Sequence, residues 1–132
     1  MKFNTLEVSI NHRVAVIWLA REAVRNAFNE VSIAELTAAF NQFGQDDAVR
    51  AIVLAAQGPA FCAGADLDWM RRMSRYSNAE NQADAMKLAT MLRTIYECPK
   101  PVIARVHGDV YAGGVGLVAA CDIAVAAIDA LI

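Results

Sequence analysis

The sequence predicts one α/β domain, and three observations support this prediction. The chain has 132 residues, of which 57% are hydrophobic and 20% charged, a composition that excludes disordered, collagen-like and coiled-coil proteins. Short apolar runs alternate with amphipathic segments that begin at helix caps, and this alternation is typical of βαβ units around a parallel sheet. Two glycine-bearing loops each follow an apolar run, which is where α/β proteins commonly bind their ligands.

The N-terminal half predicts a hairpin, a helix and a buried strand. Apolar and polar residues alternate over 6–10, and the apolar run 14–19 follows a polar break, a pattern typical of two paired strands. Asn29 is a good N-cap for a helix. The apolar residues of that helix recur at spacings of three and four: Ile33, Leu36, Phe40 and Phe43. The continuous apolar run 51–56 predicts a strand covered on both faces, and 57–68 reads as a loop.

The C-terminal half continues the alternation of helices and strands. Residues 77–80 form a capping box for an amphipathic helix that ends before Pro99. A strand is predicted over 102–106, a buried helix over 115–121, and a last buried strand over 123–127.

Charge and cysteine usage exclude several classes of protein. A net charge of −2 and a pI near 5.6 do not provide the basic surface that nucleic acid requires, and no apolar run of a signal peptide follows Met1. The apolar segment 110–132 contains Asp122 and several glycines, which argues against a membrane span. The cysteines lack the spacing of a zinc site or a disulfide framework: Cys62, Cys98 and Cys121. We therefore expect reduced thiols, no metal and a cytoplasmic protein.

The glycines of 113–116 allow two interpretations. Residues 114–119 match G-x-G-x-x-A, but the dinucleotide fingerprint opens directly off a strand and needs an acidic residue about 20 positions later. Here six residues separate the strand from the motif, and that acidic position lies beyond Ile132. The other interpretation is a helix start at Gly113-Gly114 whose first N–H groups are unpaired and able to hold negative charge, unless these glycines only allow tight helix packing.

A second loop strengthens the interpretation as an anion-holding site. The turn Ala63-Gly64-Ala65 follows a predicted strand and precedes a predicted helix. Two backbone N–H donors from two such loops are what an oxyanion hole requires.

Five segments, spread over nearly the whole chain, resemble the enoyl-CoA hydratase/isomerase (crotonase) family and occur in the family's order. They are Arg-Asn-Ala at 25–27, Phe-Cys-Ala-Gly-Ala-Asp-Leu at 61–67, Pro-Lys-Pro-Val-Ile-Ala at 99–104, Gly-Gly at 113–114 and Ala-Cys-Asp-Ile-Ala at 120–124. The resemblance implies a crotonase-like (ClpP/crotonase) spiral of ββα units. The amino-acid sequence of 114–126 most resembles that of bacterial methylglutaconyl-CoA hydratases of leucine breakdown.

The resemblance also implies which residues contact substrate. The backbone N–H groups of Ala65 and Gly113 would hold the thioester carbonyl of an acyl-CoA, and coenzyme A is part of that substrate, so no separate cofactor is implied. The other implied contacts are Arg25, Ala27, Ala63, Asp66, Leu67, Asp68, Trp69 and Gly114. Asp66, just before a helix, is expected to cap it rather than to transfer protons. Arg71, Arg72 and Arg75 could meet the CoA phosphates or form a solvated helix face.

Two departures from the family limit the predicted activity. Hydratases of the family use two glutamates to activate water; Gly116 stands at the first position, and the second lies beyond Ile132. Family members are also longer, with C-terminal helices that complete the CoA site and build trimers, often paired into hexamers. Residues 1–132 are therefore expected to be an N-terminal acyl-CoA-binding core that hydrates crotonyl-CoA poorly or not at all. An enoyl-CoA isomerase, another crotonase reaction and a non-catalytic acyl-CoA-binding or assembly fragment remain the alternatives.

Overall fold

A computed structural model describes residues 2–132 and contains one mixed five-stranded sheet. The strands lie in chain order: β1 (Leu6–Asn11), β2 (Val14–Leu19), β3 (Ala51–Ala56), β4 (Val102–Val106) and β5 (Ile123–Ala126). The helices are α1 (Glu30–Gln45), α2 (Leu67–Met73), α3 (Asn78–Tyr96) and α4 (Gly114–Ala120), with a 3-10 turn at Glu22–Val24. Only β1 is antiparallel to its neighbour, so the predicted α/β class is confirmed.

Side-chain alternation along the strands directs one face of the sheet to the core. The fully buried residues of the central strands are Ala15, Ile17, Ile52, Leu54, Val102 and Ala104. They lie in one hydrophobic cluster with the apolar face of α1 and the buried residues Met91 and Ile95 of α3. Because successive strand residues point to opposite faces, the two-residue period of burial follows from the sequence pattern.

Both predicted helix caps are present. The side chain of Asn29 accepts hydrogen bonds from the N–H groups of Val31 and Ser32, each at 3.0 Å, at the start of α1. The hydroxyl of Ser77 accepts from the N–H of Glu80 at 3.1 Å at the start of α3. These contacts satisfy N–H groups that the first helical turn leaves without partners, which is why the helix starts could be predicted from local sequence.

The last strand differs from the prediction. All four residues of β5 are exposed, because within residues 2–132 no element packs on either of its faces, so the predicted burial of 123–127 is wrong. On β3, Ala51 and Val53 are only half-buried, so its predicted cover on both faces is incomplete. Helix α4 begins at Gly114 rather than at Val115. None of the described helices has the length and apolar character of a bilayer span.

The exposed last strand predicts self-association of the 132-residue chain. Ile123 and Val125 are 56% and 60% exposed on a strand whose outer edge has no partner within residues 2–132. Exposed apolar edges pair with other chains. We expect sedimentation velocity at tens of micromolar to show dimers or larger species, and Val125→Lys to shift the population towards monomer. A monodisperse monomer of the unchanged chain would contradict the prediction.

Candidate functional site

The two glycine loops meet beyond the carboxyl ends of β3 and β4. The N–H groups of Phe61 and Cys62 both donate to the carbonyl of Asp109, at 2.9 and 3.4 Å, and the N–H of Tyr111 donates to the carbonyl of Cys62 at 3.0 Å. Cys62 and Val110 thereby form a parallel bridge outside the main sheet. The loops that follow neighbouring parallel strands lie at the same edge of the sheet. The two loops that were predicted to act together are therefore adjacent in the structure.

Close backbone contact accounts for Gly114. A Cβ at this position would lie 2.8 Å from the carbonyl oxygen of Cys62 and 3.1 Å from its Sγ. The interpretation of these glycines as packing devices therefore applies to Gly114. The formal dinucleotide motif 114–119 lies within α4, not in the strand-to-helix turn where that fingerprint operates.

The backbone N–H groups of Ala65 and Gly113 are among those in these loops that have no acceptor within residues 2–132. Phe28 pairs with the residues on either side of Ala65, because its N–H donates to Gly64 and its carbonyl accepts from Asp66, both at 2.9 Å. The N–H of Ala65 therefore points away from this bridge.

The free donors at the start of α4 are fewer than predicted. The N–H groups of Gly114, Val115 and Gly116 donate to the carbonyls of Tyr111, Ala112 and Gly113 respectively. These tight bonds to the third preceding residue satisfy groups that an α-helical turn would leave free. Several unpaired N–H groups were expected here; of the four in 113–116, only that of Gly113 has no acceptor within residues 2–132.

The free N–H groups of Ala65 and Gly113 border one small space. A Cβ on Gly113 would lie 4.0 Å from the nitrogen of Ala65, and a Cβ on Gly64 would lie 3.1 Å from the nitrogen of Gly113. Since N and Cβ on one Cα are about 2.5 Å apart, the two nitrogens are at most about 6.5 Å apart. Donors on two sides of one oxygen, each at about 2.9 Å, are separated by about 5.8 Å or less, a separation that this upper bound allows.

An open cavity of about 510 Å³ adjoins the first loop. Seven of the ten predicted substrate contacts line it: Arg25, Ala27, Ala63, Ala65, Asp66, Leu67 and Asp68. Ala23, Val24 and Arg71 complete the wall. Ala23 and Val24 were not predicted from the sequence, because they belong to the 3-10 turn and a single turn has no apolar periodicity to recognise.

Three predicted contacts lie off the wall of this cavity. Trp69 is 3% exposed and belongs to the hydrophobic core, whereas Gly114 is buried against Cys62 and Gly113 is exposed beside Phe28. Their roles in substrate binding stay predictions.

Two of the arginines proposed for phosphate contacts have carboxylate partners. Arg71 pairs with Asp68 at 2.9 Å, and Arg72 pairs with Glu30 at 3.0 Å. The first pair is largely exposed and the second is partly exposed, so both ion pairs are weak; phosphate contacts by these arginines stay a prediction.

Asp66 caps α2, as predicted. Its carboxylate accepts from the N–H of Trp69 at 3.0 Å and lies 3.1 Å from the guanidinium of Arg21. Burial acts to raise the pKa of Asp66, but the bonds from Trp69 and Arg21 outweigh it and hold the pKa below its usual value. The charged carboxylate therefore fixes the loop that presents Ala65.

Asp66→Ala is expected to lower the free energy of unfolding by about 2 to 3 kcal/mol at pH 7, since it removes a cap and leaves Arg21 unpaired. The carboxylate stabilises the fold above its unfolded pKa of about 3.9, and that contribution is lost as pH falls through the lower folded value. The difference between the two proteins should thus shrink below about pH 4. Urea unfolding across pH tests this, with Asp68→Ala as the exposed control expected to change stability by less than about 1 kcal/mol. Equal losses in both variants would contradict the cap assignment.

The fold and the site define an α/β protein in which two strand-end loops with free backbone donors meet, with an open cavity beside the first loop. The family model for enoyl-CoA hydratase/isomerase matches residues 9–132. The chain belongs to this family.

Known relatives agree with this assignment. A Thermus thermophilus protein named provisionally as an enoyl-CoA hydratase is 38% identical over 112 residues, which cover 85% of this chain and 44% of the relative. The human mitochondrial Delta(3,5)-Delta(2,4)-dienoyl-CoA isomerase is 38% identical over 133 residues, covering 92% of this chain and 40% of its own length.

Solved structures show the same crotonase-like fold. An enoyl-CoA hydratase from Shewanella pealeana superposes with a TM-score of 0.92 at 36% identity, covering 95% of this chain and 47% of that structure. An enoyl-CoA hydratase from Mycobacterium smegmatis gives 0.89 at 41% identity, covering 96% and 49%. The chain thus spans about half the length of the relatives it matches.

Proposed function

We propose that this chain binds an acyl-CoA thioester and stabilises negative charge on the thioester oxygen through the N–H groups of Ala65 and Gly113. The observation that carries the proposal is that these two groups lack acceptors within residues 2–132 and border one small space. Fixed donors aimed at a developing oxyanion need no reorganisation during reaction, and each contributes about two to three powers of ten in rate.

The reaction supported best is hydration of an enoyl-CoA by the whole protein. The oxygen of water bonds to the β carbon as one of its O–H bonds breaks, and the electron pair of the C=C bond moves to the thioester oxygen as an enolate. The enolate then takes up a proton at the α carbon, so that one water is added overall. Membership of the family and the hydratase names of similar proteins support this reaction. Methylglutaconyl-CoA is proposed as the substrate only because of the amino-acid sequence of 114–126. Assembly into a trimer or hexamer is proposed from the family resemblance.

A second candidate is double-bond isomerisation, which moves a proton between carbons and adds no water. Gly116 keeps this candidate open, because it removes one of the two glutamates that would identify a hydratase, and dienoyl-CoA isomerases are among the relatives. A Cβ at Gly116 would meet only Leu92, at 3.8 Å, so the missing carboxylate is not a matter of space. A non-catalytic binding fragment is the third candidate, and it would bind without turnover.

Titration of the chain with acetoacetyl-CoA tests the proposal, because the enolate of this β-keto thioester absorbs in the near ultraviolet. We expect a new enolate band on binding and none with free coenzyme A, which has no acyl carbonyl. Crotonyl-CoA should be hydrated at least about 10² to 10⁴ times more slowly than by a hydratase with both glutamates. Absence of the enolate band, or a fluorescence change only with NADH, would overturn the proposal.

A further inference from the structure

Asp109 contacts three segments around the proposed oxyanion site. Its carbonyl accepts from the N–H of Phe61 in the first loop at 2.9 Å. One carboxylate oxygen accepts from the N–H of Leu131 at 2.9 Å, and the other accepts from the hydroxyl of Tyr111 at 2.7 Å. The side chain therefore joins the tail 127–132 to the loop that carries Gly113.

The tail also bonds to this loop through its backbone. The N–H of Val110 donates to the carbonyl of Leu131 at 2.8 Å, while Val110 bridges Cys62 on its other side. Val110 thus lies between the first loop and the tail. Asp109 adds a charged acceptor to this contact, and hydrogen bonds to a charged group are stronger than neutral ones.

The loop beyond Val110 needs such support because its backbone is strained. Ala112 has a φ of +49°, a left-handed conformation that costs an L-residue about 1 to 2 kcal/mol. Gly113 follows directly, so the direction of its N–H depends on how firmly the strained turn is held. Strained positions persist only where the surrounding contacts determine them.

The protonation states of Asp109 and Tyr111 support a role in stabilising this loop. Hydrogen bonds from Leu131 and Tyr111 lower the pKa of Asp109, and the bond to Asp109 raises the pKa of Tyr111. At neutral pH the pair is a carboxylate with a neutral phenol, so the phenol donates steadily to Asp109. The positive charge of Arg25, which lies on the cavity wall, acts to lower the pKa of both Asp109 and Tyr111.

We propose that Asp109 is a positioning residue: its carboxylate fastens the tail to the loop 109–113 and thereby sets the direction of the Gly113 N–H. Tail docking and enolate stabilisation are then coupled. This proposal rests on the proposed function, because it assigns Asp109 a role in presenting one of the two oxyanion donors.

The test compares Asp109→Ala with the control Asp129→Ala, which removes the same charge from an exposed tail residue that makes no hydrogen bond or ion pair within residues 2–132. We expect Asp109→Ala to lower the enolate absorbance per bound acetoacetyl-CoA about tenfold, with the affinity for free coenzyme A changed less than twofold. Amide hydrogen exchange at Val110 and Leu131 should accelerate about tenfold or more. Asp129→Ala should change neither readout.

Two further variants keep the test decisive if Asp109→Ala fails to fold. Tyr111→Phe removes one of the two bonds to the carboxylate and should lower the enolate absorbance about fivefold. Asp109→Asn keeps an acceptor for Leu131 and should restore most of the exchange protection.

The possible failures are distinguishable. An unchanged chain without an enolate band overturns the proposed function and this proposal with it. An unchanged chain with the band, together with Asp109 and Tyr111 variants that match Asp129→Ala, overturns only the positioning role.

Discussion

Ala65→Pro is expected to abolish the enolate band of bound acetoacetyl-CoA. Proline has no N–H, and losing one oxyanion donor typically costs about two to three powers of ten. The N–H of Ala65 donates to no acceptor within residues 2–132, so the substitution removes the donor without breaking a hydrogen bond of the fold. The ring also occupies the space in which the thioester oxygen would lie.

Ala79→Pro provides the matched control for this variant. Ala79 lies in the first turn of α3, where an N–H has no partner within the helix and proline is tolerated. It should bind acetoacetyl-CoA with the band of the unchanged protein. An enolate band of similar strength in Ala65→Pro would show that Ala65 supplies no donor to the oxyanion.

Gly108→Ala is expected to lower the free energy of unfolding by about 3 kcal/mol, at the upper end of overpacking substitutions. A Cβ at Gly108 would lie 2.3 Å from the carbonyl oxygen of Pro59. That neighbour is backbone, so the two glycine loops must separate to accommodate the methyl group. Gly114→Ala, with its Cβ 2.8 Å from the carbonyl oxygen of Cys62, should act in the same direction with a smaller loss.

Gly116→Ala is the contrasting substitution in the same region. Its Cβ would meet Leu92 at 3.8 Å, an ordinary contact, and alanine is favoured over glycine in a helix by about 1 kcal/mol. Urea unfolding should therefore show unchanged or raised stability for Gly116→Ala and a large loss for Gly108→Ala. Similar losses in both would mean that close approach of the loops does not explain these glycines.

Elements specified by neighbouring residues were predictable from the sequence. The caps at Asn29 and Ser77, the hairpin and the order of strands and helices all follow from hydrogen bonds or side-chain periods within a few residues. The family resemblance singled out Ala65 and Gly113, and the structure brings their loops together, because loops after neighbouring parallel strands share one edge of the sheet.

Contacts between distant residues were decided only by the tertiary structure. The pairing of Arg21 with Asp66, the bridge from Phe28 that leaves the Ala65 N–H free, and the bond from Leu131 to Asp109 join residues far apart in sequence. No local pattern encodes such partners, because they depend on the relative placement of whole elements.

Burial and backbone strain also depend partly on the local sequence and partly on the tertiary structure. The apolar sequence of β5 determined that it forms a strand, but its exposure depends on which other elements pack against it. The positive φ of Ala112 could not be predicted from the sequence, because alanine has no intrinsic preference for this conformation. The sequence by itself thus determined the elements, their order and the two loops; the tertiary structure decided which N–H groups remain free, because only packing determines which donors find acceptors.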